Sequence, residues 1–402
     1  MTKKSAFNTL NSLPVESKTL LGLIQKNGPV IKSDLQLMSK MKLTTLNRIM
    51  QPLEEAALVV PYGIAESSGG RKPVQYHVNP SEYYVIGIDI SRTYTQLIIS
   101  NLKLDILVKK QFTMDEFFSP DRTVINIYQA IQQELKVLSI DAQRLLGAGL
   151  GTVGPVDIDK GTIVNPQNFP ASGWYNVPIR DMLEKALGMP VYMDNGANTA
   201  VLAEFLFGLG RNYSNIAYLN CGVGIRTGAI SSSNIVRAIN DAEDAFGHMI
   251  IDVDGEPCSC GNYGCIECYS TIPSIMKAFI SAVKKGRSTK ISKPLDEINY
   301  IDLCLAATDH DELSREVITG AASILGSGLA NYINLLNPGL IILSGPLINN
   351  SDLFYQTTID VASKKYYLRQ DSKIAFSKGG YFGDTAIAAG AAALVIENYI
   401  KS

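Results

Sequence analysis

One segment constrains this chain more than any other: His248 followed by Cys258, Cys260 and Cys265 in the spacing H-x9-C-x-C-x4-C. One imidazole and three thiolates make a complete tetrahedral zinc set, with no position left for a reactive water. Gly255, Gly261 and Gly264 supply the turns needed to wrap a chain around an ion. The competing reading is three small buried thiols that lie close by coincidence. A disulfide is disfavoured in the cytoplasm, where the lack of an apolar leader in MTKKSAFNTLNSL leads us to expect the protein. A structural zinc ion on His248, Cys258, Cys260 and Cys265 is the expectation. Cys221, Cys268 and Cys304 read as small core residues.

The rest of the 402-residue chain has ordinary globular composition, 46% hydrophobic and 18% charged. No apolar run approaches the ~20 residues of a membrane span, and roughly 150 residues per domain implies two or three domains. The net charge of −2 hides a split. Residues 1–80 hold ten Lys/Arg against five Asp/Glu, leaving 26 against 33 in the remainder, so a basic module of +5 precedes an acidic body of −7. Such asymmetry points to a polyanionic partner for the module.

From Ser17 the module reads as three helices. Leu20, Leu21, Leu23 and Ile24 lie in the first, a break follows at Asn27-Gly28-Pro29, and Leu35, Leu37 and Met38 lie in the second. In the third, Leu43, Leu46, Ile49/Met50, Leu53 and Ala57 fall at core-facing spacing, leaving Thr44, Thr45, Asn47, Arg48 and Gln51 outside. Pro52 is expected to kink or restart this helix. A helix displaying Thr, Asn and Arg near its start suits the DNA major groove: Arg48 to guanine, Asn47 to adenine, Thr44 and Thr45 to phosphates or thymine methyls. Two strand-like runs, Leu58–Val60 and Val74–Val78, bracket a basic tip with Arg71 and Lys72, as in a wing. The alternative is a solvated helical module used for protein contacts.

The body alternates strands and helices and does so twice. Val85–Asp89, Thr95–Ile99, a helix near Asp121–Ser139 and Leu145–Leu150 are followed by Asn215–Asn220, Thr227–Ile230, helices near 311–336 and Leu340–Ser344. Gly149-x-Gly151-x-x-Gly154 fits a dinucleotide fingerprint, but Pro155 follows where that motif must open a helix, so we reject it.

The histidine–cysteine segment with Glu267 resembles the zinc signature of the ROK family of repressors, open reading frames and sugar kinases. Val153-Gly154-Pro155-Val156-Asp157, Asn168-Phe-Pro170 through Gly173-Trp174, and Phe382-Gly383-Asp-Thr-Ala386 with Gly390-Ala391-Ala392 are similar to further landmarks of that family. The resemblance covers nearly the whole chain. It implies an α/β fold: an N-terminal winged helix-turn-helix (residues 1–80), then a two-lobed actin-like, ribonuclease H-like ATPase-type body with a zinc loop at 247–267. The lobes would be 81–198, completed by a C-terminal helix near 385–402, and 199–384.

The same resemblance locates what has been lost. Family kinases place a catalytic Asp where Pro190-Val-Tyr-Met-Asp194-Asn195-Gly196-Ala-Asn198 has Gly196. Losing a positioned base costs on the order of 10²–10⁴ in rate. The glycine-rich phosphate loops are altered to Asp89-Ile-Ser-Arg92-Thr93 and Gly222-Val-Gly-Ile-Arg226-Thr-Gly228, and a pocket Glu is replaced by Ala245. Asn168, Asn195, His248 and Glu267 match sugar contacts, with loop capping as the competing reading of Asn195 and Glu267. The expectation is a repressor of carbohydrate genes, not an enzyme. It would bind a double-stranded DNA operator as a homodimer or homotetramer and respond to a sugar or sugar derivative. The alternatives are an ATP-dependent sugar kinase using Asp194, or a repressor that answers to a partner protein.

Overall fold

A computed structural model describes residues 6–64, 72–166, 169–237, 245–367 and 374–401. The chain divides into two compact units, Met1–Phe207 with Thr385–Ser402, and Gly208–Asp384.

The first unit opens with α1 (Ala6–Asn11), α2 (Val15–Asn27), β1 (Val30–Ile31), α3 (Lys32–Ser39), α4 (Leu43–Glu55), β2 (Val59–Ile64) and β3 (Val74–Val78). Leu20, Leu21, Ile24, Leu35, Leu46, Ile49, Met50 and Leu53 bury the inner helix faces, as the apolar spacing requires. Buried Ser17 donates to the Ile49 carbonyl at 2.8 Å and ties α2 to α4. The three strands form an antiparallel sheet in the order β1-β3-β2. Of the two outcomes expected at Pro52, the restart does not occur: α4 runs through it. Pro52 stands in the last turn, so its missing N–H frees only one carbonyl, and its own carbonyl still accepts from the Ala56 amide.

There follow β4 (Tyr84–Ile90), β5 (Tyr94–Asn101), β6 (Ile106–Thr113), α5 (Pro120–Leu138), β7 (Leu145–Thr152), β8 (Val156–Asp157), β9 (Thr162–Ile163), α6 (Ile179–Leu187), β10 (Val191–Asn195) and α7 (Gly196–Leu206). The main sheet has the order β10-β7-β4-β5-β6. Strands β4, β7 and β10 run parallel, while β5 and β6 complete an antiparallel meander.

The second unit contains β11 (Ile216–Cys221), β12 (Ile225–Ser231), β13 (Asn234–Ile235), α8 (Glu267–Ser270), α9 (Ile272–Lys284), α10 (Tyr300–Thr308), α11 (Glu312–Leu336), β14 (Leu340–Ser344), α12 (Pro346–Asn350), α13 (Asp352–Lys365) and β15 (Ala375–Lys378). Its sheet order is β13-β12-β11-β14-β15. Read from β4 and β11, the first strand of each five-stranded sheet, both sheets follow one plan: two antiparallel strands on one side, two parallel strands on the other. Two copies of that plan are the actin-like, kinase-type body.

Helix α14 (Ala386–Lys401) returns to the first unit. Its Ala/Gly face lies on the sheet at backbone distance: a Cβ on Gly87 or Gly149 would stand 1.9 or 1.8 Å from the carbonyl oxygens of Ala388 or Ala391. Gly390 is equally tight against Thr199 of α7. The glycines at 149 and 151 therefore make room for helices at the sheet. Helix α2 in turn packs on α14, with Gly22 beside Ile400, the Lys26 ammonium 5.6 Å from the Phe205 ring centre, and the Gln25 amide donating to the Leu102 carbonyl. Among the described residues no helix is long and apolar enough to cross a membrane.

Candidate functional site

The loop between β13 and α8 folds back on itself through short bridges, Ile250 opposite Cys265 and Pro257 opposite Tyr263. Gly264, at φ +64°, lies so near Asp252 that a Cβ would fall 1.6 Å from its carbonyl oxygen, so only glycine fits the turn. This folding collects His248, Cys258, Cys260 and Cys265, whose ligand atoms all lie within 4.8 Å of one another. Cys258 Sγ is 3.5 Å from His248 Nδ1, and Cys260 Sγ is 3.7 Å from Cys265 Sγ. A tetrahedron with Zn–S near 2.3 Å and Zn–N near 2.1 Å has edges of about 3.6–3.8 Å. The cluster fits a tetrahedral ion. Burial opposes ionisation of Cys258, yet hydrogen bonds from Cys260, Cys265 and His248 bring its thiol down to about 7. Burial and the neighbouring thiols push Cys265 up to about 12. Cys258 therefore ionises more readily than a free thiol, and a cation would supply the charge to hold the others as thiolates. Cys221 and Cys304 are buried among apolar residues, and burial pushes the Cys221 thiol up to about 12.

Glu267, at the start of α8, joins this loop to the β11–β12 turn. Its Oε1 accepts from the Ile225 amide at 2.6 Å, and its Oε2 lies 4.0 Å from His248 Nε2. The His248 ring thus presents Nδ1 to the cysteines and Nε2 to a carboxylate, the arrangement that fixes a metal-ligating imidazole. Gly224 and Gly247 crowd Glu267 closely enough that a Cβ on either would stand 3.0 or 2.8 Å from it.

In the first unit, Asn195 caps α7, its Oδ1 accepting from the Asn198 amide at 2.7 Å. Asp194 is buried and accepts from the Asn195 amide at 2.8 Å and from Asn198 Nδ2 at 3.0 Å. This polar network at the head of α7 escaped the sequence reading, which paired no residue with Asp194. Gly196 opens the helix. A Cβ on Gly196 would be 3.2 Å from Ile387 Cδ1. Asn168 lies outside the described residues. Beside it Phe169 meets Trp174 at 4.6 Å between ring centres, and Trp174 Nε1 donates to the Phe118 carbonyl at 3.0 Å.

Ser91-Arg92-Thr93 closes the β4–β5 hairpin, with the Ser91 amide donating to the Tyr94 carbonyl. Arg226 belongs to β12, opposite Asn220. Ala245 is exposed.

On α4, Thr44, Asn47 and Arg48 are exposed and Thr45 is half-buried, all within the first two turns. Lys72 is exposed just before β3, and Arg71 lies outside the described residues. Gln51 Nε2 donates to Glu55 at 2.7 Å. One residue that the sequence reading passed over stands beside this face: Lys32 Nζ donates to Asn47 Oδ1 at 2.8 Å and lies 5.1 Å from the Tyr76 ring centre. No periodicity marks it, because the contact joins three separate elements.

The profile of the ROK family matches residues 85–398. The chain belongs to the ROK family. Among curated relatives, the xylose repressor of Caldicellulosiruptor bescii is 27% identical over 95% of both chains. That span leaves too few residues outside to omit the front module. Among solved structures, a ROK family transcriptional regulator described as a homologue of E. coli MLC covers 98% of this chain and 97% of its own, with TM-score 0.78 and 23% identity. The ROK family glucokinase of Streptomyces griseus, solved with glucose and AMPPNP, covers 98% of its own chain but 77% of this one, with TM-score 0.65 and 23% identity. These two structures are likenesses of fold.

Proposed function

We propose that this ROK protein is a sugar-responsive transcriptional repressor. The observation that carries the reading is the joining, in one chain, of a basic helical module with a kinase-type body whose α7 opens on Gly196 in place of an acid. The module, residues 1–80, is a winged helix-turn-helix, and Thr44, Thr45, Asn47 and Arg48 on α4 meet base edges and phosphates in the major groove. Arg71 and Lys72 serve the wing. Two-fold operators require a homodimer or homotetramer.

His248, Cys258, Cys260 and Cys265 hold zinc, which in a closed four-ligand site crosslinks the loop and leaves no open position for catalysis. Asn168, Asn195, His248 and Glu267 are the residues we assign to a sugar or sugar derivative. Such an effector acts only by binding the DNA-competent and DNA-incompetent states unequally. Within the first unit a route exists for the difference to travel. Helix α7 carries Asn195 at its head and Phe205 near its end, Phe205 meets Lys26 of α2, and Ser17 of α2 holds α4.

The test is fluorescence anisotropy of the purified protein on duplex DNA from upstream of its own gene, titrated with salt and then with a panel of sugars and sugar phosphates. Tight binding that weakens steeply with salt and is altered by one sugar is expected. Absence of specific binding at low salt, together with hexose-dependent ADP release lost on Asp194→Ala, would replace the repressor with a kinase.

A further inference from the structure

Lys32 occupies a position that bears on which base the module reads. It is the first residue of α3 and follows directly on β1, whose Val30 and Ile31 pair with Tyr76 and Gln75 of β3. Strand pairing thereby holds the Lys32 backbone beside the wing sheet, and its ammonium is 5.1 Å from the Tyr76 ring centre, within cation–π range. From there Nζ reaches across to Asn47 Oδ1 at 2.8 Å. The carboxamide of Asn47, exposed on the outer face of α4, is thus held by its oxygen.

A free Asn side chain reads adenine with both ends, its oxygen accepting from N6–H and its NH2 donating to N7. Here the oxygen is engaged and stands next to a full positive charge. An exocyclic amine approaching it, from adenine or cytosine, would bring its own positive hydrogens against that charge. The NH2 end keeps both donors, and the ammonium has two more. The pair presents four donors against one remaining acceptor lone pair that stands beside a positive charge, which suits the acceptor edges of the major groove: O6 and N7 of guanine, or O4 of thymine.

We infer that Lys32 is a specificity-determining residue, which converts Asn47 from an adenine reader into a donor that selects guanine or thymine at its position in the operator. The inference rests on the DNA-binding reading above and deepens it.

The test is selection of binding sites from a randomised duplex library, followed by competition binding of single-position variants. For the unaltered protein, one position that loses its preference on Asn47→Ala is expected to favour guanine or thymine over adenine by roughly 5- to 150-fold. Lys32→Met keeps an unbranched stem beside Tyr76 but removes the charge. It should move that one position toward adenine, while Lys32→Arg keeps the original preference. Asn47→Asp replaces the NH2 by a second acceptor, retains the Lys32 contact and should abolish the preference for acceptor edges, giving an independent arm should Lys32→Met fail to fold. An adenine preference in the unaltered protein, or the same preference at every position in Lys32→Met with uniformly weaker binding, would overturn the inference and make Lys32 a phosphate contact. A protein that selects no sequence at all would overturn the DNA-binding reading itself.

Discussion

The carboxylate of Glu267 accepts a hydrogen bond from the amide of Ile225 across 42 residues of sequence. One side chain therefore joins the β11–β12 turn to the loop that carries the cysteines. Glu267→Ala leaves that partly buried amide without its acceptor, so a loss of about 1–3 kcal/mol in stability is expected. Glu267→Gln keeps an oxygen at the same place and should recover most of it. Urea unfolding of the two variants side by side measures the difference.

The metal prediction follows from the ligand spacing. Purified protein should carry one zinc per chain, and Cys265→Ser should carry much less than one. Chelation should lower the melting temperature, because the bridges at Ile250 and Pro257 are short and a bound ion would crosslink the loop. Metal analysis and thermal melts with and without chelator check both; a full zinc complement in Cys265→Ser would contradict the assignment.

The glycines differ sharply in what they tolerate. Gly149→Ala drives a Cβ to 1.8 Å from a helix carbonyl and should cost at least about 3 kcal/mol or prevent folding. Gly188 has φ +67° with nothing within 4 Å, so Gly188→Ala should cost only the ~1–2 kcal/mol of a left-handed alanine. Near-equal losses would contradict the close approach of α14 to β7.

Gly196→Asp tests whether an acid at the head of α7 gives the body kinase activity. The new Cβ needs Ile387 to yield by a few tenths of an ångström, so the variant should fold. With Arg92 and Arg226 still in the altered loops, hexose-dependent ADP release should stay at background. Vigorous turnover would show that the base was the sole defect.

Asp311 provides the pH dependence. It caps α11, accepting from the Ser314 amide at 2.8 Å, and also accepts from the Lys290 amide. Burial alone would raise its pKa, but the hydrogen bonds from Ser314, Lys290 and Thr289 outweigh it and hold the carboxyl below its ordinary value. The stabilisation is therefore present above the unfolded pKa of about 3.9 and is lost as pH falls through the folded value. Asp311→Ala should cost about 1 kcal/mol at pH 7 and progressively less under acid. Urea midpoints at several pH values should converge for the two proteins at the acid end; a constant gap would rule out the carboxylate as the cause.

Much of this was legible because the governing patterns are local. Alternation and apolar spacing placed Leu340–Ser344 in a strand and Leu46, Ile49, Met50 and Leu53 in a core, and the spacing of four side chains in one loop announced a metal cluster before any geometry was known. What stayed hidden depends on partners distant in the chain. Gly87 reads as an ordinary strand residue and Gly149 as part of a rejected dinucleotide fingerprint until α14 is laid on them, and the Tyr399 hydroxyl finds the Leu146 carbonyl 253 residues away. The double use of Asn195 as match and cap was visible, whereas the contact from Lys32 to Asn47 needs β1, β3 and α4 assembled before it exists.

The seat of α2 on α14 sets an order of events in synthesis. The first helices leave the ribosome long before residue 386 is made, and with α14 comes the surface that receives Gly22 and fills the groove over Gly87 and Gly149. Until then α2 has the Leu102 carbonyl and the Phe205 ring to meet, but not Ile400. The seat of that helix on the body is thus finished only once α14 has been made.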